Sequence, residues 1–291
     1  MNAKEIVRKI IPLSIRKKRA DYLLKRKILS YMRKNTIEGE AKEVYTFLRN
    51  NSFSIFPYEF IKKYKSNDIA VYTDPDCNMK YVMHERLNRL YFKSGMNKGE
   101  IKKSYAWLNL EQDIDSPHRY ELGNFKVNDG DIVVDIGVAE GNFALSVVER
   151  AKKLYLFEAD KTWIPSLEKT FAPWKDKVII VNKYVSDRNT DTEVCLDAYF
   201  DGIEIDFFKI DVEGAETKVL SSEILSSKKN LKIAVCTYHR QDDAEEINKI
   251  LQTNGFRTEF SKGYMIFSYD KDLSSPYLRK GLIRAVKGSI Q

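Results

Sequence analysis

The sequence predicts an α/β protein: a doubly wound sheet, mostly parallel, with a C-terminal antiparallel hairpin and a smaller N-terminal α/β cap. Three observations predict it. Apolar, β-branched runs recur at 132–136, 153–160, 177–187, 205–211 and 231–239, as in strands buried on both faces. Helix-period segments separate these runs. A small-residue turn, Asp135-Ile136-Gly137-Val138-Ala139-Glu140-Gly141, joins the first run to the first helix.

Taken in order, the chain opens on a basic segment, 1–34. It holds 12 Lys/Arg against Glu5 and Asp21, near +10, which leaves the rest of this +7 chain near −3. Pro12 divides the segment. Ile6, Val7, Ile10 and Ile11 share a helical face before it, and Leu24, Ile28, Tyr31 and Met32 share one after it. A basic amphipathic helix can lie on anionic lipid, bind RNA more weakly, or pack its stripe on the body.

Residues 35–120 read as a cap or substrate region. A short helix is expected at 43–48, strands at 70–72 and 80–83 around Asp74-Pro75-Asp76, and a helix at 100–110 with Ile101, Tyr105 and Leu108 on one face. The next ten residues, 111–120, gather acids, an imidazole (His118), a guanidinium and a phenol. Such a junction fits a site wall or a hydrogen-bonded linker.

The core domain spans 121–291. Phe143, Ala144, Val147, Val148 and Ala151 form the stripe of its first helix, and Pro165 sits in the first turn of a helix at 163–171. A short extra strand is expected at 193–197. Ala215, Val219, Leu220 and Ile224 mark a helix. Asp242 and Glu245 have capping-box spacing before Ala244, Ile247, Ile250 and Leu251, and Asn254-Gly255 closes that helix. Residues 256–260, the turn Ser261-Lys262-Gly263 and 264–268 predict the hairpin. The tail with Arg279, Lys280, Arg284 and Lys287 is mildly basic and shows no motif.

Composition narrows the class. The 291 residues suit about two domains, and the hydrophobic and charged fractions are those of an ordinary soluble protein. Cys77, Cys195 and Cys236 lack paired spacing, which argues against a disulfide framework or a zinc site and for a reducing, cytoplasmic setting. No apolar run reaches the roughly 18 residues of a membrane span. Basic residues at 8–9 and 16–19 interrupt any signal-peptide core.

The turn after the first strand speaks to ligand class. A dinucleotide fingerprint requires glycines where Ala139 and Asn142 stand. What remains, Asp135-x-Gly137-x-x-x-Gly141, suits a phosphate-free ligand such as S-adenosylmethionine over Asp135, Gly137, Ala139 and Gly141. Glu158 follows 21 residues beyond Gly137, where an acid takes ribose hydroxyls. A nicotinamide enzyme carries that acid too, and a plain tight βαβ turn is the bland alternative. Ser186 and Asp187 are candidates for the adenine edge or ordinary turn residues.

At the strand tips, His239 is the first candidate for a general base, with Asp211 or Glu213 orienting it or holding substrate. His118 is the second, and a hydrogen-bonded strand-end histidine is the plain alternative for His239. Asp211, Glu213 and His239 could also bind Mg²⁺, although two acids at a strand end also suit a helix start, and no metal is assigned.

Over roughly 111–268 the chain resembles the FkbM-type S-adenosylmethionine-dependent methyltransferases. The resemblance rests on Val134-Asp135-Ile136-Gly137-Val138-Ala139-Glu140-Gly141, on Phe208-Lys209-Ile210-Asp211-Val212-Glu213-Gly214-Ala215-Glu216, and on Tyr238-His239. Ala139 departs from the glycine that many methyltransferases have there. The resemblance implies O-methylation, often of sugar hydroxyls in surface glycans (polysaccharide biosynthesis) or natural products. Residues 1–110 match nothing, so the acceptor stays open. An RNA methyltransferase using the basic end and a non-catalytic cofactor-binding regulator are the alternatives. The slightly acidic body argues against nucleic acid, and the basic end fits the inner face of an anionic membrane.

Overall fold

The computed structural model describes residues 13–288. Helices α1 (Leu13–Lys34) and α2 (Glu40–Asn50) lead into strands β1 (Tyr72–Thr73), β2 (Lys80–His84) and β3 (Asn88–Tyr91), then α3 (Lys98–Glu111). The core begins with β4 (Ile132–Ile136), α4 (Asn142–Val147), β5 (Lys153–Phe157), α5 (Ile164–Phe171) and β6 (Val178–Val181). It continues through β7 (Tyr184–Ser186), β8 (Glu193–Cys195), α6 (Leu196–Tyr199), β9 (Phe207–Ile210), α7 (Glu216–Leu220) and α8 (Glu223–Ser227). It ends with β10 (Leu231–Cys236), α9 (Asp243–Thr253), β11 (Arg257–Phe260) and β12 (Leu282–Lys287). The first half of the basic segment, with Ile6, Val7, Ile10, Ile11 and Pro12, lies outside the described residues.

Seven strands form the main sheet in the order β11-β12-β10-β9-β4-β5-β6. β10, β9, β4, β5 and β6 are parallel, and β12 runs antiparallel to both of its neighbours. The pleat explains the unbroken apolar runs. Val133, Leu156, Phe207 and Ala234 face one layer, with the N-terminal cap residues Val44, Phe56 and Leu90. Val134, Phe157, Phe208 and Ile233 face the other, against Val219, Ile247 and Leu251. Both faces are dry, so the buried positions of the parallel strands are apolar except Asp135 in β4 and Lys209 in β9, which pair with each other. Truncating Phe208, which is fully buried, to alanine would cost about 3–5 kcal/mol.

The cap's strands form a separate antiparallel sheet in the order β1-β2-β3, around the expected Asp74 turn; β3 was not anticipated. Its helix α3 starts with a full capping box between Asn97 and Glu100.

Four local expectations are corrected. The antiparallel hairpin exists, but its second arm is β12, not 264–268. Residues 264–266 turn instead toward the cap, where Tyr264 N–H donates to Tyr58 Oη and Ile266 N–H to the Ile55 carbonyl. Leu282, Ile283 and Ala285 are buried in β12, and Arg284, which made the tail look merely basic, donates to the Tyr120 and Arg119 carbonyls. The long third strand stops at Val181, and Tyr184–Ser186 pairs apart from the sheet with β8. The helix expected from 215 to 224 breaks into α7 and α8 at Ser221 and Ser222. Asp242 makes no capping bond; Asp243 accepts from Arg240 N–H instead.

Candidate active site

The turn after β4 is shaped by backbone crowding. Gly137 has φ +78°, and a Cβ there would lie 1.8 Å from the Asp211 carbonyl oxygen. No other residue fits, because the β4 turn is pressed onto the end of β9. Lys209 Nζ pins the turn by donating to the Gly137 carbonyl at 2.5 Å. Gly141 has φ +84°, and a Cβ on it would meet Leu167 and Phe171 at 2.9 and 3.0 Å. Ala139 adopts φ +47° despite its methyl group, a conformation that costs an L-residue about 1–2 kcal/mol. Its N–H donates to Glu158 Oε2 at 2.8 Å, which helps to hold it there. Glu158 Oε1 accepts from Asp160 N–H at 2.7 Å, so this carboxylate ties the tip of β5 to the turn.

Beside the turn, four side chains from two distant segments, 118–120 and 238–239, converge on Asp211. Tyr120 Oη donates to Asp211 Oδ2 at 2.9 Å, and Tyr238 Oη lies 3.5 Å from Oδ1. His118 Nε2 stands 3.5 Å from Oδ2, and His239 Nε2 stands 3.5 Å from Oδ1. The His239 ring spans two acids: Nδ1 lies 2.8 Å from buried Glu216 Oε1, while Nε2 faces Asp211 and lies 3.7 Å from Glu213. Glu213 has φ +53°, and its side chain is 85% exposed, which sets it at the rim. Its neighbour Gly214 turns the chain back so that Glu216 can reach the ring.

The charges are tuned by burial and by one another. Burial pushes the Asp135 carboxyl up to about 6, against the pull of Lys209, whose Nζ is 3.0 Å away. Burial opposes the Lys209 charge, yet Asp135 and Asp211 hold its pKa above the ordinary value. Asp211 is also pushed up by burial, but His118, Lys209 and His239 outweigh that and hold it well below the usual carboxylate range. For His239, burial favours the neutral ring, and Glu216, Asp211 and Glu213 overcome it, raising the pKa above 6.5. On the α3 side, burial raises Glu111 to about 7 while Trp107 Nε1 donates to it. Glu140 is raised by burial too, and it accepts from Ser104 Oγ at 3.0 Å.

The structure therefore brings Asp135, Gly137, Ala139, Gly141 and Glu158 together at one edge, with His118, Asp211, Glu213 and His239 beside them. Ser186 and Asp187 close a local turn with Arg188 after β7. Tyr120, Lys209, Tyr238, Glu216, Glu111 and Glu140 were missed as site residues. Lys209 carried a signal, since a lysine inside Phe207-Phe208-Lys209-Ile210 must have a buried partner. Among the described residues, two groups have the proximity of metal ligands: His118, Asp211 and Cys236, and Asp211, Glu216 and His239, each with atoms within 4.8 Å of one another. Asp211 and Glu213, the acids expected beside His239, stand 3.5 and 3.7 Å from its Nε2, and Glu216 comes nearer still, 2.8 Å from Nδ1.

The family model for the methyltransferase FkbM domain matches residues 91–258, more than half of the chain and the whole of this cluster. The chain belongs to the FkbM methyltransferase family. Among solved structures it is similar to the methyltransferase FkbM from Methylobacillus flagellatus KT, at 17% identity and TM-score 0.43, covering 64% of this chain and 54% of that one. Against that FkbM protein, then, it spans about half the length. It is also similar to the precorrin-6y C5,15-methyltransferase from Geobacter metallireducens GS-15, at 12% identity and TM-score 0.42, covering 56% of this chain and 85% of that one. A third is a Streptococcus pneumoniae tRNA (m1A22) methyltransferase in complex with S-adenosyl-L-methionine, at 16% identity and TM-score 0.38, covering 58% of this chain and 71% of that one. No curated protein matches the chain.

Proposed function

We propose that this FkbM-family protein is an S-adenosylmethionine-dependent O-methyltransferase acting on a sugar hydroxyl of a surface glycan or a related natural product. The observation that carries the reading is the His239 ring held between buried Glu216 and the Asp211 hub, where the Gly137 turn packs onto the Asp211 backbone.

The residues present suit the methyl donor. Gly137 lets the β4 turn pack directly onto the Asp211 backbone, and Glu158 sits at the next strand tip. The surrounding acids Asp135, Glu140, Glu158 and Asp211 suit a sulfonium and repel a pyrophosphate. Bound there, S-adenosylmethionine supplies an already activated methyl group. Alignment is then the main task left to the protein.

A sugar hydroxyl also needs its proton taken. Protonated on Nδ1, which lies 2.8 Å from Glu216 Oε1, neutral His239 presents the Nε2 lone pair on the side of Asp211 and rim-exposed Glu213. Asp211 stays ionised and, held by Tyr120, orients the acceptor hydroxyl or the imidazolium that forms. His118 is the less suited base, because its Nε2 is already taken up by the Tyr238 hydroxyl and the Cys236 thiol as well as by Asp211.

The test is incubation with labelled methyl donor and fractionated cell glycans, RNA in a parallel arm, and mass spectrometry of whatever gains a methyl. Label on a sugar oxygen supports the reading. Label on RNA, or no label with any fraction while donor binds, overturns it.

A further inference from the structure

We infer that the outward face of α1 is a docking surface for an anionic lipid bilayer. This goes beyond the proposed reaction and stands without it.

Periodicity divides the helix. Ile28 and Met32 are buried and Leu24 and Tyr31 pack against the core, while Ile15, Tyr22 and Leu23 on the other side are more than half exposed. Ile15, Tyr22, Arg26 and Arg33 recur at seven, four and seven residues, which puts them on one line of a 3.6-residue helix. Lys18, Arg19 and Leu23 flank that line. The face is therefore cationic with large apolar side chains set among the charges, and it carries no acid: Asp21, the only acid of the helix, points the other way. Nine Lys/Arg lie between Leu13 and Lys34, and no carboxylate among the described residues pairs with any of them.

A solvated helix face needs no exposed Ile, Tyr and Leu, and a face packed on another protein would not be so uniformly charged. Apolar side chains inserted among headgroups, with lysine and arginine at headgroup level, satisfy both features at once. Among the described residues no helix is long and apolar enough to cross a membrane, so the contact is peripheral.

The inner side of α1 ties this surface to the site. Lys17 Nζ lies over the Tyr269 ring at 5.5 Å, Tyr269 meets Phe267 at 5.7 Å, and Phe267 meets His239 at 5.4 Å and Tyr238 at 4.9 Å. Farther along, Lys27 and Tyr31 both pack on Tyr277. Two side chains thus separate the helix from the candidate base.

The test is sedimentation of the full chain with vesicles of neutral lipid alone and with vesicles about one-third anionic. The expected result is pelleting only with anionic vesicles, weakened at high salt. Arg19→Glu/Arg26→Glu should weaken it at least tenfold, since each basic residue near a charged surface contributes about fivefold. Ile15→Asp/Leu23→Asp should do the same with the cationic charge retained. Circular dichroism and calorimetric uptake of S-adenosylmethionine, unchanged in both variants, show that the fold and the donor site are intact. Equal binding to neutral vesicles, no binding to either kind, or anionic binding that both variants retain overturns the inference. So does RNA binding that the charge variant abolishes while vesicles do not pellet.

Discussion

The two halves of the site are built by different means. The β4 turn is made of backbone: Gly137 and Gly141 at positive φ, an N–H on Ala139, and a carbonyl held by Lys209. The Asp211 hub is made of side chains drawn from residues as far apart as His118 and His239. A backbone device tolerates almost no added atom, whereas a side-chain device tolerates isosteres but not a change of charge.

Asp211→Asn sharpens that contrast most, because it keeps shape and removes charge. Two histidines and Lys209 lose their common counter-charge, and methyl transfer should fall about 10³-fold. Donor affinity should change only a few-fold. Labelled methyl transfer and calorimetry on the same preparation check both, and a large loss of donor binding would erase the distinction between the halves.

Gly137→Ala attacks the other half. Its Cβ would meet the Asp211 carbonyl, so stability should drop by more than about 3 kcal/mol in urea unfolding, and donor binding should disappear. Gly130→Ala is the matched control, with φ +88° and nothing within 4 Å, and should cost only about 1–2 kcal/mol. Equal losses in the two variants would show that the close approach is unimportant.

The pH profile tests the His239 pair with Glu216. The pKa of His239 is raised, so the protonated ring stabilises the fold fully below pH 6.5, and that contribution is lost as pH rises through the folded value. Catalysis has the opposite need, since the base must be neutral, so the rate should climb through the same value. Glu216→Gln removes the leading partner and should move that limb to lower pH, as read by the rate profile and by NMR titration of the ring. A limb that stays in place would take His239 out of the base role.

The smallest effect is at Ala139→Gly. Glycine relieves the φ +47° strain but adds freedom to the unfolded chain, so the net gain should be at most about 1 kcal/mol, with donor affinity unchanged. Thermal unfolding measures it.

Legibility in the sequence follows the same divide. The turn and its strands were readable because a positive φ demands glycine and a doubly covered strand demands apolar residues, and both demands leave marks at fixed spacing. The hub was only half readable. Asp211 and His239 could be nominated from strand tips, but nothing in the chain said that Tyr120 would reach Asp211 or that Glu216, not Glu213, would stand beside Nδ1 of the ring. Those contacts are set by how α7 leaves the Glu213-Gly214 turn, a matter of three-dimensional path. β12 was hidden for a related reason: Arg284 is a buried donor to two carbonyls, and a one-dimensional pattern shows only its charge. Asp242 shows the reverse case, a spacing that satisfies a rule whose hydrogen bond does not form.

The central claim is that the β4 turn receives a phosphate-free adenosyl donor within reach of the Asp211 hub. Calorimetric titration of the pure protein with S-adenosylmethionine, and separately with NAD, tests it most directly. The account predicts one-to-one uptake of the methyl donor and none of the dinucleotide. Tight binding of NAD with no uptake of the donor would contradict it.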